Sequence, residues 1–111
     1  MIEFGVETRA DGIGVVTPEG RLNMVSARRL REVLVHLVGQ GTTRIVVDLG
    51  ETTFVDSSGL GALIGGLKTA RQAGGDLRVA RVSPGVRAVF ELTNLDRVLR
   101  ARDTVEGSFD D

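Results

Sequence analysis

Ile45-Val46-Val47 is an uninterrupted apolar triplet, and it restricts the architecture of this chain more than any other stretch. Successive side chains of a β-strand point to opposite faces, so three consecutive β-branched residues need cover on both sides. The triplet therefore predicts a central strand over Arg44 to Leu49, inside a sheet with material packed on each face. Helical patterns lie on either side of it in the sequence.

Upstream, Ala27, Leu30, Leu34, Leu37 and Val38 recur at helical spacing, with Arg28, Arg29, Arg31, Glu32 and His36 on the other faces. Ser26 is the expected N-cap of this helix, and Gly39 and Gly41 end it. Downstream, Leu60, Leu63, Ile64, Leu67 and Ala70 mark a second helix from about Ser58 to Ala73, stopped by Gly74-Gly75. Before the first helix, Ile2 to Thr8 alternates as a strand, Ala10-Asp11-Gly12 is turn chemistry, and Ile13 to Thr17 completes a hairpin. Pro18 and Gly20 punctuate the chain after it. Leu77 to Val82 reads as a further strand, with Leu77 and Val79 alternating against Arg78 and Ala80. Pro84 fits the first turn of a third helix striped by Val86, Val89, Phe90 and Thr93, and Val98 to Ala101 reads as a short last strand. The acidic tail from Asp103 to Asp111 reads as a frayed helix or as disordered. The predicted order is β-β-α-β-α-β-α-β: an α/β domain spanning 1–111, with an N-terminal hairpin, then alternating α and β, a mixed but mostly parallel sheet and packed helices.

Composition narrows the function. With 14 basic against 15 acidic residues the net charge is −1, which gives no electrostatic reason to expect direct nucleic-acid or membrane partners. There is no Trp or Tyr to stack on bases. The absence of Cys removes disulfides and thiolate metal sites, and fits a reducing compartment. No apolar run reaches the roughly 20 residues of a membrane span. Met1-Ile2-Glu3-Phe4 has neither the basic nor the long apolar region of a secretory signal, so a cytoplasmic location is expected.

The chemistry-bearing stretch is Phe54-Val55-Asp56-Ser57-Ser58-Gly59-Leu60-Gly61, at the mouth of the second helix. A serine pair there serves either as a helix cap or as an accessible hydroxyl; one serine can do each, with Ser58 the cap or a supporting contact. Gly61 and Gly65 share one side of the helix and Gly66 lies beside them. Glycine inside a helix costs roughly 1 kcal/mol relative to Ala, so these positions mark either close packing within the protein or a face left open to a partner backbone. Arg28, Arg29 and Arg31 are the densest basic cluster: a solvated helix face, or a docking point for an acidic partner.

With its context of strand, Asp-Ser-Ser-Gly-Leu-Gly and helix, the chain resembles the STAS family, and within it the bacterial anti-sigma factor antagonists. The resemblance rests on Gly20-Arg21-Leu22-Asn23, Val46-Val47-Asp48-Leu49, Asp56-Ser57-Ser58-Gly59-Leu60-Gly61 and Val82-Ser83-Pro84-Gly85-Val86, in that order, over nearly the whole chain. It implies partner switching: the unphosphorylated form binds an anti-sigma factor, usually a serine kinase with a GHKL-type ATP site, and so frees a sigma factor. That kinase would phosphorylate Ser57, with Ser58 the alternative acceptor, and a PP2C-type phosphatase would reverse it. The implied partner surface comprises Asn23, Asp56, Ser57, Ser58, Gly59, Leu60, Gly61 and Gly65. Asn23 stands where the family more usually has Asp, keeping the size and losing a charge.

STAS-like domains also occur beside anion transporters and in lipid-transport complexes, so an accessory subunit of a transport system or sensor scaffold is the alternative. An enzyme is not expected. Ser57 lacks the Gly-x-Ser-x-Gly elbow, and the only histidine, His36, falls on a helix surface. No Gly-x-x-x-x-Gly-Lys-Ser/Thr loop is present; Gly65-Gly66-Leu67-Lys68-Thr69 imitates only its end, inside a helix. No His/Cys cluster suggests a metal, the Asp110-Asp111 pair stands alone, and no cofactor is expected.

Overall fold

A computed structural model describes residues 4–106, 108 and 109. Ile2 of the expected first strand and the Asp110-Asp111 pair lie outside the described residues. The elements run β1 (Phe4–Thr8), β2 (Gly14–Pro18), β3 (Gly20–Leu22), α1 (Met24–Gly39), β4 (Arg44–Asp48), β5 (Thr52–Val55), α2 (Ser57–Gln72), β6 (Asp76–Ala80), α3 (Pro84–Leu92) and α4 (Leu95–Val98). A four-stranded sheet has the order β1-β2-β4-β6, antiparallel at the β1–β2 hairpin and parallel elsewhere. This is the mixed, mostly parallel sheet expected from the sequence.

Side-chain parity decides what each face of the sheet carries. Val16, Ile45, Val47, Leu77 and Val79 point to the helical side, where they meet Leu30, Leu34 and Leu37 of α1, Leu63, Leu67 and Ala70 of α2, and Phe90 of α3. Ile13, Val46 and Ala80 point the other way, and Val105 and Phe109 pack over them. The apolar triplet of β4 is thus buried on both faces, as its composition demands.

The second cover comes from the segment read as a frayed or disordered tail. Over its described residues it lies against the sheet, with Ser108 fully buried. Arg78, on the face opposite Leu77 and Val79, is buried beneath it. Its guanidinium donates to the Ser108 carbonyl at 2.8 Å, lies 3.4 Å from Asp76, and stacks 4.4 Å from the centroid of the Phe109 ring; Arg44 stacks on the same ring at 4.9 Å. A buried cation persists only when paired in this way. Phe109→Ala removes this lid and is expected to cost about 1–2 kcal/mol. Urea unfolding checks this; an unchanged midpoint would show that the tail contributes nothing.

Three expectations need correction. First, the chain after Pro18 is not mere punctuation: β3 and β5 pair in parallel as a separate two-stranded sheet, Arg21 opposite Phe54 and Leu22 opposite Val55. Second, Val98 to Ala101 is no strand. Asn94 turns left-handed, α4 makes one helical turn, and Arg100 sits at φ 49°, which breaks an extended run. Leu99 enters the core, and what remains is an isolated parallel bridge from Ala80 to Arg102. Third, Ser26 does not cap α1. The helix starts earlier, at Met24, with Asn23 as its cap.

Beyond β6, Arg81 donates to Asp48 at 2.8 Å, tying the ends of β4 and β6. That hydrogen bond, with the Asp48 charge, raises the Arg81 pKa above its ordinary value. A raised cation contributes fully below its ordinary pKa and is lost only above it, so on the arginine side this link is constant throughout the neutral range.

Candidate functional site

Both helix mouths are built by the small β3–β5 sheet. Because β3 and β5 run parallel, Asn23 and Asp56 leave it on the same side, and the Asp56 amide donates to the Leu22 carbonyl at 3.2 Å. Each of these two residues then caps a helix. The Asn23 side-chain oxygen accepts from the amides of Val25 (3.1 Å) and Ser26 (3.2 Å), while the Ser26 hydroxyl accepts from the Asn23 amide at 2.9 Å. This reciprocal pair is a capping box, with the buried Ser26 at its third helical position and donating to the Arg21 carbonyl at 2.7 Å. Asp56 caps α2 by accepting from the Gly59 amide at 2.9 Å.

That assignment settles the serine pair. Neither Ser57 nor Ser58 is the cap; they are the first two residues of α2. Neither hydroxyl makes a hydrogen bond to another described residue. Ser57 is exposed and Ser58 half-buried. A carboxylate at the cap position satisfies the helix start and leaves the Ser57 hydroxyl exposed.

The two helix mouths enclose an open groove of about 400 Å³, lined by Met24, Ala27, Arg28, Arg31, Ser57, Ser58 and Gly61. Three of the residues expected at the partner surface are therefore brought together: Ser57, Ser58 and Gly61. Asn23 and Asp56 stand behind them as caps. Gly59 has a packing role: a Cβ there would lie 2.6 Å from the Leu22 carbonyl oxygen. Leu60 packs toward the core, and Gly65 sits under Arg31, whose Nε is 3.9 Å from where its Cβ would be. Gly66 allows the close approach of α2 to Leu34 and Leu77.

Four groove residues come from the first turns of α1, namely Met24, Ala27, Arg28 and Arg31. Their spacing is that of one helix face, which Met24 joins only once the helix is begun there rather than after Ser26. Arg28 and Arg31 are exposed and have no hydrogen-bond or salt-bridge partner among the described residues. Arg29, on a different face, pairs with Glu32 at 3.6 Å.

The STAS domain model matches residues 7–108 of this chain. The chain belongs to the STAS family. This STAS protein is 31% identical over 99 residues to the anti-sigma-B factor antagonist of Staphylococcus aureus, covering 89% of this chain and 92% of that protein. Its fold is close to that of an anti-sigma factor antagonist from Mycobacterium paratuberculosis, with a TM-score of 0.86, 27% identity, and 99% and 92% of the two chains covered. The Bacillus cell fate determinant SpoIIAA in its phosphorylated form shares the fold, with a TM-score of 0.75, 24% identity and 97% of each chain covered. Among the described residues no helix of this STAS domain is long and apolar enough to cross a membrane.

Proposed function

We propose that this STAS protein is a cytoplasmic anti-sigma factor antagonist that works by partner switching. Unphosphorylated, it binds an anti-sigma factor of the GHKL serine-kinase type over the Ser57 groove and frees a sigma factor. Phosphorylation of Ser57 by that kinase ends the interaction, and a PP2C-type phosphatase restores it. In this reading the protein is a binding module on which other enzymes act, rather than an enzyme. The observation that carries it is the exposed Ser57 hydroxyl at the start of α2, without a hydrogen bond to the described residues, and with capping delegated to Asp56.

The local chemistry supports such a switch. A phosphoryl group adds about −1.5 to −2 charges and three acceptor oxygens. At the first residue of α2 it meets the positive end of the helix macrodipole and the guanidinium groups of Arg28 and Arg31 along the same groove. The repulsive neighbour, Asp56, already has its carboxylate engaged by the Gly59 amide. The fold thus tolerates the modification, while a partner surface shaped for a neutral hydroxyl does not. Burying an unpaired dianion there costs several kcal/mol. The phosphorylated form of SpoIIAA, a protein of the same fold, is consistent with this reading.

Incubation with the purified anti-sigma kinase and Mg-ATP, followed by mass spectrometry, is expected to place one phosphate on Ser57. Modification of Ser58 instead, or of neither serine, would count against this reading.

A further inference from the structure

We propose that Arg28 and Arg31 form a recognition pair for an acidic segment of the protein that docks over Ser57. This rests on reading the Ser57 groove as a partner surface and adds the chemistry that the partner must present there. The first observation is charge left without a counter-charge. Arg9, Arg29, Arg71, Arg78, Arg81 and Arg87 each lie within salt-bridge distance of a carboxylate, and Arg21 and Arg44 stack on phenylalanine rings. Among the described residues Arg28 and Arg31 do neither; Arg97, Arg102 and Lys68 share that condition, but Arg28 and Arg31 alone of these line the Ser57 groove. The second is the lining: the groove they share with Ser57 contains no carboxylate. Of the acidic residues beside it, Glu32 lines an adjoining pocket with Arg28 and Arg31 but pairs with Arg29 at 3.6 Å, and Asp56 accepts from the Gly59 amide.

Geometry sets the kind of ligand. Residues three apart on a helix have their Cβ atoms about 5–6 Å from each other. Two guanidinium groups so placed match two carboxylates one turn apart on a partner helix, and arginine binds carboxylate bidentately. Beside them, Met24 and Val25 are 71% and 78% exposed, an apolar contact next to the charged one. Apolar anchors beside a small patch of opposite charge describe a protein surface. A nucleic acid or anionic membrane would call for a broad basic field, whereas this chain has a net charge of −1. Phosphate on Ser57 would then act twice, neutralising the arginine pair and repelling the partner's carboxylates.

The test uses the full chain and the purified anti-sigma factor from the same genome, with affinity measured at low and moderate salt. Arg28→Glu/Arg31→Glu is expected to weaken binding at least about 100-fold, and Arg28→Gln/Arg31→Gln about tenfold with a flatter salt dependence. Arg29→Glu, which reverses a charge outside the groove, should stay within about threefold. Circular dichroism melting verifies that each variant is folded, and the Gln pair serves if the reversal disturbs the helix. Unchanged affinity of the Gln and Glu pairs, with Ser57→Asp still weakened, would overturn the arginine assignment and leave the docking groove standing. No weakening by any of these variants would overturn both. If the Gln pair loses binding to phosphatidylserine vesicles or duplex DNA that the wild type binds, while its anti-sigma affinity is unchanged, the arginines serve another class of ligand and the proposal falls.

Discussion

Gly61→Leu is expected to abolish partner binding in a protein that melts no lower than the wild type, whereas Gly66→Leu should fail to fold. The two glycines lie five residues apart in one helix and differ only in what a side chain would meet. At Gly61 an added Cβ has no neighbour within 4 Å, and the position opens into the Ser57 groove. Leucine there recovers the roughly 1 kcal/mol that glycine costs in a helix interior, and places four carbons where a partner backbone would pass. At Gly66 the Cβ would collide with the Leu34 side chain and come within 3.1 Å of Leu77, both fully buried. Overpacking by one or two methylenes costs about 1–3 kcal/mol, and leucine adds more than that between two layers already in contact. Thermal melting and titration calorimetry against the anti-sigma factor separate the cases. Tight binding by a folded Gly61→Leu protein would remove the groove from the docking surface. Gly65 is the less informative probe, because leucine there would displace Arg31 as well as extend toward a partner.

The layered part of the fold is legible in the sequence because it is written in periods. Ile45-Val46-Val47 demands cover on both faces, and the helix stripes at Leu30, Leu34, Leu37 and at Leu63, Leu67, Ala70 provide one of them. The other cover is hidden. Val105 and Phe109 sit in an acidic, irregular segment with no period, and only the burial of Val46, Ala80 and Arg78 reveals what they do. β3 and β5 escape for a related reason. At three and four residues they are too short to show alternation, and each exists because it pairs with the other. The missing strand between Val98 and Ala101 shows the converse: four apolar-rich residues look extended until a positive φ at Arg100 forbids it.

At the site, the motif is readable and the groove is not. Asp56-Ser57-Ser58-Gly59 can be located by its turn and helix chemistry, but which residue caps depends on where the backbone turns helical, and Asp56 is still extended where Ser57 is already in the helix. The same holds for α1. Placing its cap at Ser26 leaves Met24 and Val25 outside the helix, so that Met24 does not join Ala27, Arg28 and Arg31. Capping at Asn23 brings them onto one face, and that face then meets Ser57 through the β3–β5 pairing.

Ser57→Asp is expected to reduce anti-sigma binding by at least about 100-fold, equivalent to about 2.7 kcal/mol, without lowering the melting temperature. The stability half follows from the position. The wild-type hydroxyl is exposed and makes no hydrogen bond to described residues, so removing it costs nothing in the fold. A carboxylate at the first residue of a helix gains about 0.3–1 kcal/mol from the macrodipole, and Arg28 and Arg31 add favourable charge across the groove. Repulsion from Asp56 opposes this, moderated because that carboxylate accepts from Gly59. These contributions nearly cancel. In a domain of about 100 residues 1 kcal/mol moves the melting temperature by about 4–8 °C, so a fall larger than that would mark Ser57 as a structural residue. The binding half rests on desolvation. The partner must cover a charge that it cannot solvate, and a carboxylate with one charge understates a phosphate with nearly two. Ser57→Ala supplies the complement: it keeps the groove neutral, should bind within about threefold of the wild type, and should stay bound when kinase and ATP are added. If Ser57→Ala and Ser57→Asp lose affinity equally, the hydroxyl itself is the contact, and charge is not what the switch reads.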